Sequence, residues 1–203
     1  MSLQNSHRKS VKHFDDRREI HELTFSCYGR NPILDDDWRR EQLSVAINCA
    51  LDNHHWRLAC FVYMPEHIHR LVYPTARDLK VDKLLFAIKR PFSYRVKQRL
   101  AAENERLLQQ LTIRQRPGKT TFRFWQEGPG YDRNIRSEKT LLSSIDYIHL
   151  NPVRRGLADK ATDYEWSSAR WYASAGQVVD PLLPELTAVP PDWFAGAADV
   201  TSY

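Results

Sequence analysis

The chain has 203 residues, 42% hydrophobic and 27% charged, which suits one packed domain with decorations and argues against wholesale disorder. Its 30 Lys and Arg against 25 Asp and Glu give a net +5 and a pI near 9.1, which admits a polyanionic partner without requiring one. No apolar run reaches the ~18 residues of a membrane span and no secretory core is visible, while Cys27, Cys49 and Cys60 match no zinc spacing, so a cytoplasmic protein with reduced thiols is expected.

In chain order, residues 1–18 are polar and charged and read as a flexible arm. Residues 19–28 are strand-like, with Ile20, Leu23 or Thr24, Phe25 and Cys27 as inward positions. Asn31-Pro32 marks a turn, and three aspartates open a helix over 35–53, where negative charge suits the helix dipole. Trp38, Leu43, Ala46, Ile47 and Ala50 supply its apolar stripe. His54 and His55 fall at its end as favourable C-terminal charges or surface residues. Residues 56–63 and 67–73 read as a strand pair around a break at Met64-Pro65-Glu66.

Residues 78–111 are a long helical stretch in which Pro91 is expected to kink or divide the helix. A polar loop is expected over 112–121, then a short aromatic strand over 122–126 and a Gly-Pro-Gly turn at 128–130. Ser137 can cap a helix that runs to about Leu150, with Pro152 forcing an end near Asn151. A main domain over 19–172 is therefore followed by a Pro-rich tail, 173–203, that wraps the surface. The element order gives an α+β, ferredoxin-like split βαβ pattern: an antiparallel sheet, helices mainly on one face, and an extra C-terminal helix.

Charge is unevenly placed. Residues 80–99 carry seven basic side chains, Lys89, Arg90, Arg95 and Lys97 among them, against Asp82, whereas 180–203 carry four acids and no Lys or Arg. The basic segment is a candidate grip on a nucleic-acid backbone, and Phe92 and Tyr94 within it are candidate stacking rings, with core packing the alternative for Phe92.

His67 and His69 lie two apart in a strand, so both project from one face while Ile68 points into the core. Two imidazoles on one face can share a divalent metal, but a third ligand must come from elsewhere. In the helix beginning at Ser137, Leu141, Leu142, Ile145, Ile148 and His149 share one sector and Tyr147 lies off it. Tyr147 is either a half-buried, hydrogen-bonded phenol or a nucleophile. Asn151, one turn on, can complete a metal site or orient a phosphate. Arg154 and Arg155 follow as a solvated helix end or a phosphate grip.

Three ordered motifs resemble the IS200-like tyrosine transposases, especially the REP-associated tyrosine transposases, which are HUH single-tyrosine nucleases. They are Met64-Pro65-Glu66-His67-Ile68-His69; Trp125-Gln126-Glu127-Gly128 through Asp132-Arg133-Asn134-Ile135-Arg136, with Pro129-Gly130 departing from the family's spacing; and Tyr147 through Asn151-Pro152-Val153. Trp166-Ser167-Ser168 also matches, and the resemblance spans residues 20–172. It implies His67, His69 and Asn151 as metal ligands for Mg²⁺ or Mn²⁺ and Tyr147 as nucleophile. It further implies single-stranded or hairpin DNA as substrate, a 5′-phosphotyrosine intermediate with a free 3′-hydroxyl, and action as a monomer or homodimer. Arg133, Arg136, Arg154 and Arg155 join the basic helix as candidate DNA contacts. The competing readings are a non-catalytic DNA- or RNA-hairpin-binding module on the same sheet, a zinc hydrolase, for which no third His or carboxylate stands at metal spacing, and a domesticated relative that binds hairpins without transposing.

Overall fold

The computed structural model describes residues 19–128 and 130–195; the expected arm over 1–18 and the last eight residues of the tail lie outside them. A four-stranded antiparallel sheet holds β1 (Ile20–Ser26), β2 (Trp56–Tyr63), β3 (His67–Pro74) and β6 (Tyr131–Ile135) in the order β2-β3-β1-β6. Helices α1 (Asp37–Asn53) and α2 (Val81–Glu103) cover one face, with α3 (Glu105–Gln110) and the hairpin β4 (Thr112–Arg116) and β5 (Lys119–Phe122) beside them. Helix α4 (Glu138–Arg154) crosses the other face, followed by the short α5 (Ala169–Ala173). This is the expected split βαβ arrangement.

Period-two alternation divides two cores between the faces. Leu23, Phe25, Ile68 and Val72 point toward α1 and α2, while Ile20, Leu71 and Tyr73 point toward α4. The His67 and His69 side chains therefore share the α4 face, and Ile68 is fully buried on the other, as the alternation requires. Asp36 caps α1 by accepting from the Arg39 N–H at 2.9 Å, and Ser137 caps α4 by accepting from the Thr140 N–H at 3.2 Å.

Several local expectations are corrected. Pro91 does not divide α2, because Ile88, Phe92, Val96 and Leu100 are buried along one side of an unbroken helix and outweigh one missing hydrogen bond. The division falls at Asn104, whose side chain caps α3 through the Leu107 N–H. The polar loop is the β4–β5 hairpin: Arg116 pairs with Lys119 across Pro117-Gly118, and Gly118 at φ 74° supplies the second central position of a type II turn. The aromatic strand is absent as such; Phe124 and Trp125 are buried core residues, and only a single bridge joins Trp125 to Cys27. The fourth strand is instead β6, a polar edge strand matched to β1 by charge pairs. Helix α4 continues through Pro152 to Arg154, since Asn151 and Pro152 are both held in the interior. Leu142, assigned to the apolar sector, is 55% exposed.

Gly130, at φ 82°, opens β6, and a Cβ there would stand 2.2 Å from the Thr24 carbonyl oxygen. Only glycine fits that approach, so the turn before β6 is pressed onto β1 beside the site. On the far edge, Trp166 and Ser168 bond the backbone of β2 and cover it. The tail packs at the other end of the β2–β3 pair: Thr187 donates to the Leu58 carbonyl at 2.9 Å, and Trp193 stacks edge-on against Tyr73. Among the described residues no helix is long and apolar enough to cross a membrane.

The interior of α4 fixes its rotation. His149 is buried, with Nε2 2.8 Å from the Ser168 hydroxyl and 3.3 Å from the Cys60 sulfur. Burial pushes its pKa down to about 4 against the opposing attraction of Asp146. The folded chain therefore holds His149 neutral, while the unfolded chain protonates it near pH 6.5. The stability this gives is complete above about pH 6.5 and is lost as pH falls toward 4, a loss on the order of 3 kcal/mol. Urea unfolding at pH 7 and 4.5 checks this: His149→Gln should flatten the acid limb, and an unchanged limb would exclude His149 as its source.

Candidate metal and nucleophile site

Cross-strand register brings the first layer of the site together. Thr24 lies opposite His69 and Ser26 opposite His67 in the β1–β3 ladder. The two imidazoles meet edge to face with their Nε2 atoms 3.0 Å apart. Two nitrogens each bound at about 2.1 Å to one ion, at a right angle, stand about 3 Å apart, so the pair is already at ligand spacing.

The outer ring nitrogens are held. His67 Nδ1 lies 3.1 Å from the Glu66 carboxylate, which only accepts, so that nitrogen carries the proton and Nε2 keeps a free lone pair. His69 Nε2 then donates to that lone pair, and the Thr24 hydroxyl donates to His69 Nδ1 at 2.7 Å. Freeing the second lone pair for a metal requires the His69 proton to move to Nδ1, and a hydroxyl accepts there as readily as it donates. Thr24 thus supports both tautomers. Burial, then the neighbouring His67, lowers the His69 pKa to about 4; burial also lowers that of His67 against the pull of Glu66. Both rings are held neutral, the form a metal needs.

Helix α4 closes the site. Tyr147 is 43% exposed and its ring stands edge-on to His69, centroids 5.6 Å apart. Arg154, two turns on, places its guanidinium 5.2 Å over the same ring. Asn151 is buried in the cavity with its amide nitrogen unpartnered. A buried amide left unsatisfied by the protein fits a ligand position whose oxygen turns to a cation. Among the described residues no three His, Cys, Asp or Glu side chains form a metal cage, so a set of His67, His69 and Asn151 depends on the asparagine. The cavity holds about 280 Å³ and is also lined by Arg30, Glu66 and Arg155, with Arg155 donating to Glu66 at 2.7 Å.

Among solved structures, a REP-associated tyrosine transposase bound to a REP hairpin aligns with 90% of this chain and 94% of its own, with a TM-score of 0.64 at 17% identity. The fold is similar to that REP-associated tyrosine transposase. A candidate transposase from Deinococcus radiodurans R1 aligns with 73% of this chain and 95% of its own, at TM-score 0.42 and 16% identity. No family model and no curated protein matches the sequence.

Within this transposase-like fold the candidate basic residues separate. Arg154 and Arg155 stand at the cavity. Arg133 and Arg136 lie along β6 and its end, tied to Glu22 at 2.5 Å and Glu19 at 2.9 Å. Arg95 and Lys97 are exposed farther along α2, Arg95 donating to Gln42. Lys89 and Arg90 lie on the opposite face of the sheet. Phe92 is fully buried in the core, while Tyr94 is exposed. Sequence reasoning missed Glu66 and Thr24; the signal for Glu66 was its place directly before the histidine pair, whereas Thr24 emerges only from the β1–β3 register.

Removing the Thr24 hydroxyl should show what it does. Thr24→Val keeps the shape and leaves His69 Nδ1 without a partner, and Mn²⁺ affinity is expected to fall ten- to a hundredfold. Isothermal titration measures it; wild-type affinity in the variant would remove Thr24 from the metal-supporting set.

Proposed function

We propose that this chain is a metal-dependent DNA transposase and endonuclease that cleaves and rejoins single-stranded DNA beside a hairpin through a 5′-phosphotyrosine. The observation that carries the reading is the meeting, in one cavity, of the inward-facing His67 and His69 nitrogens with Asn151 and the exposed Tyr147 from α4. The hairpin-bound state of the structurally similar transposase supports the choice of substrate.

His67, His69 and Asn151 would hold Mg²⁺ or Mn²⁺, which supplies Lewis-acid polarisation of a scissile phosphate. Tyr147 Oη loses its proton and forms a bond to phosphorus. The bond from phosphorus to the 3′ oxygen breaks, and that oxygen leaves with a proton as a 3′-hydroxyl. The bond energy stays in the phosphotyrosine, so a 3′-hydroxyl can reverse the step and rejoin DNA without an external energy source. Arg154, stacked on the tyrosine ring, keeps a cation where negative charge develops. Arg155 exchanges its Glu66 partner for a phosphate oxygen, and Glu66 continues to hold His67.

The test is covalent capture. The protein is incubated with labelled single strands carrying hairpins, with Mn²⁺ or with EDTA, and run on a denaturing gel. A metal-dependent adduct is the expected result; single-strand binding with no adduct under any metal would replace this reading with the non-catalytic hairpin-binding module.

A further inference from the structure

On the face of β1 away from the histidines lies a second cavity of about 310 Å³, between α2, the β4–β5 hairpin and the Phe124–Trp125 segment. Its walls carry Lys89, Arg90 and Arg123, of which Arg123 is paired with the Glu127 carboxylate at 2.8 Å, so the charge the cavity offers is that of Lys89 and Arg90. At its rim Phe86 is 60% exposed, with the Arg90 guanidinium 5.4 Å over the ring. Phe86 is an aromatic ring on a helix whose apolar stripe is buried elsewhere, so core packing does not explain it.

Behind the lining, Lys89 shares an aromatic ring with a second cation. The Lys89 ammonium sits 4.5 Å from the centroid of Phe25, and the guanidinium of the fully buried Arg70 sits 4.8 Å from the same ring. None of the three Arg70 nitrogens has a hydrogen-bond partner. Burial, and then repulsion from Arg70, lowers the Lys89 pKa to about 8. A bound anion would relieve both effects. Trp125, also lining the cavity, is more than nine-tenths buried and its indole N–H has no partner. Gln115 and Thr121 add an amide and a hydroxyl from the hairpin side.

An exposed ring beside a planar cation, unpaired positive charge and an unused donor suit a flat π-system that carries a phosphate. We propose that this cavity holds one unpaired nucleotide of single-stranded DNA, with its base stacked on Phe86 and its phosphate on Lys89 and Arg90. The proposal rests on the reading of the chain as a single-strand DNA enzyme and adds a subsite separate from the cleavage cavity. The two cavities lie back to back through β1: Thr24 and Ser26 line the first, and Phe25, between them, meets Lys89 of the second.

The experiment is fluorescence anisotropy of a labelled mixed-sequence single strand of about a dozen nucleotides, in EDTA so that nothing is cleaved. Phe86→Ala changes an exposed side chain and should leave the fold intact while weakening binding about tenfold, and Phe86→Trp should restore it. Val45→Ala, 41% exposed on α1 and outside the cavity, should change nothing. Lys89→Gln should lower the slope of log affinity against log salt by about 0.7, the loss of one single-strand phosphate contact. Wild-type binding with an unchanged Phe86→Ala variant would overturn the subsite and leave the cleavage reading standing. A wild-type protein that binds no single strand, with adduct formation also absent, would overturn both.

Discussion

Replacing Tyr147 by phenylalanine is expected to remove the covalent DNA adduct altogether, a loss of at least about a thousandfold, because the variant has no oxygen with which to attack phosphorus. The substitution is otherwise mild. Phenylalanine keeps the edge contact to His69 and the ring beneath Arg154, and a side chain already 43% exposed contributes little to the core. Thermal unfolding should therefore stay within about half a kcal/mol of wild type, as surface changes usually do. Affinity for a hairpin-bearing single strand should stay within about twofold, since the change removes one oxygen and leaves the Arg154 and Arg155 cations in place. His67→Ala should remove the same adduct by a different route, through lost metal affinity, so excess Mn²⁺ separates the two: partial recovery is expected in His67→Ala and none in Tyr147→Phe. An adduct that persists in Tyr147→Phe would assign the nucleophile to another residue.

The parts of the site that could be seen in the sequence are those carried by local periodicity. A His-x-His in a strand shares a face by the geometry of the pleat, and Tyr147 and Asn151 are neighbours by the geometry of the helix, so each half was legible alone. No local pattern gave their meeting, which in the sequence came only from the family resemblance, because it depends on α4 crossing the sheet face opposite α1 and α2. Thr24 was hidden for the same reason: its role follows from pairing with His69 45 residues away. Among the elements, β6 was missed because an edge strand that makes its contacts through Asp132, Arg133 and Asn134 lacks an apolar alternation. The β4–β5 hairpin was missed because Pro117-Gly118 was weighed as loop composition and not as a type II turn between two extended runs. Pro91 and Pro152 misled in the same sense, since local rules for proline yield where flanking side chains are buried. The basic segment was visible as composition, but its face was not, and the structure directs Lys89 and Arg90 away from the histidines.

Arg70→Met is expected to make the protein more stable, by about 2 kcal/mol, even though it removes one of the largest buried side chains. Arg70 is fully buried and its guanidinium has no hydrogen bond on any nitrogen, so its lost hydration is offset by the face of Phe25 4.8 Å away and by attraction at longer range, with no direct polar partner. Burial pushes its pKa down to about 9, against attraction from Tyr63 and Asp132, so it is still charged at neutral pH. Methionine fills a similar volume, needs no partners, and adapts to an irregular site among aromatic rings. It also ends the repulsion that lowers Lys89, whose pKa should rise toward its ordinary value. Urea midpoints at pH 7 measure the stability, and the same preparation measures single-strand affinity. If stability rises while single-strand binding weakens several-fold, then Arg70 is a cation kept in the core at the expense of the fold for the sake of the phosphate above it. If stability falls by more than about 1 kcal/mol, the guanidinium is held by ordered water in solution and its presence is accounted for by structure alone.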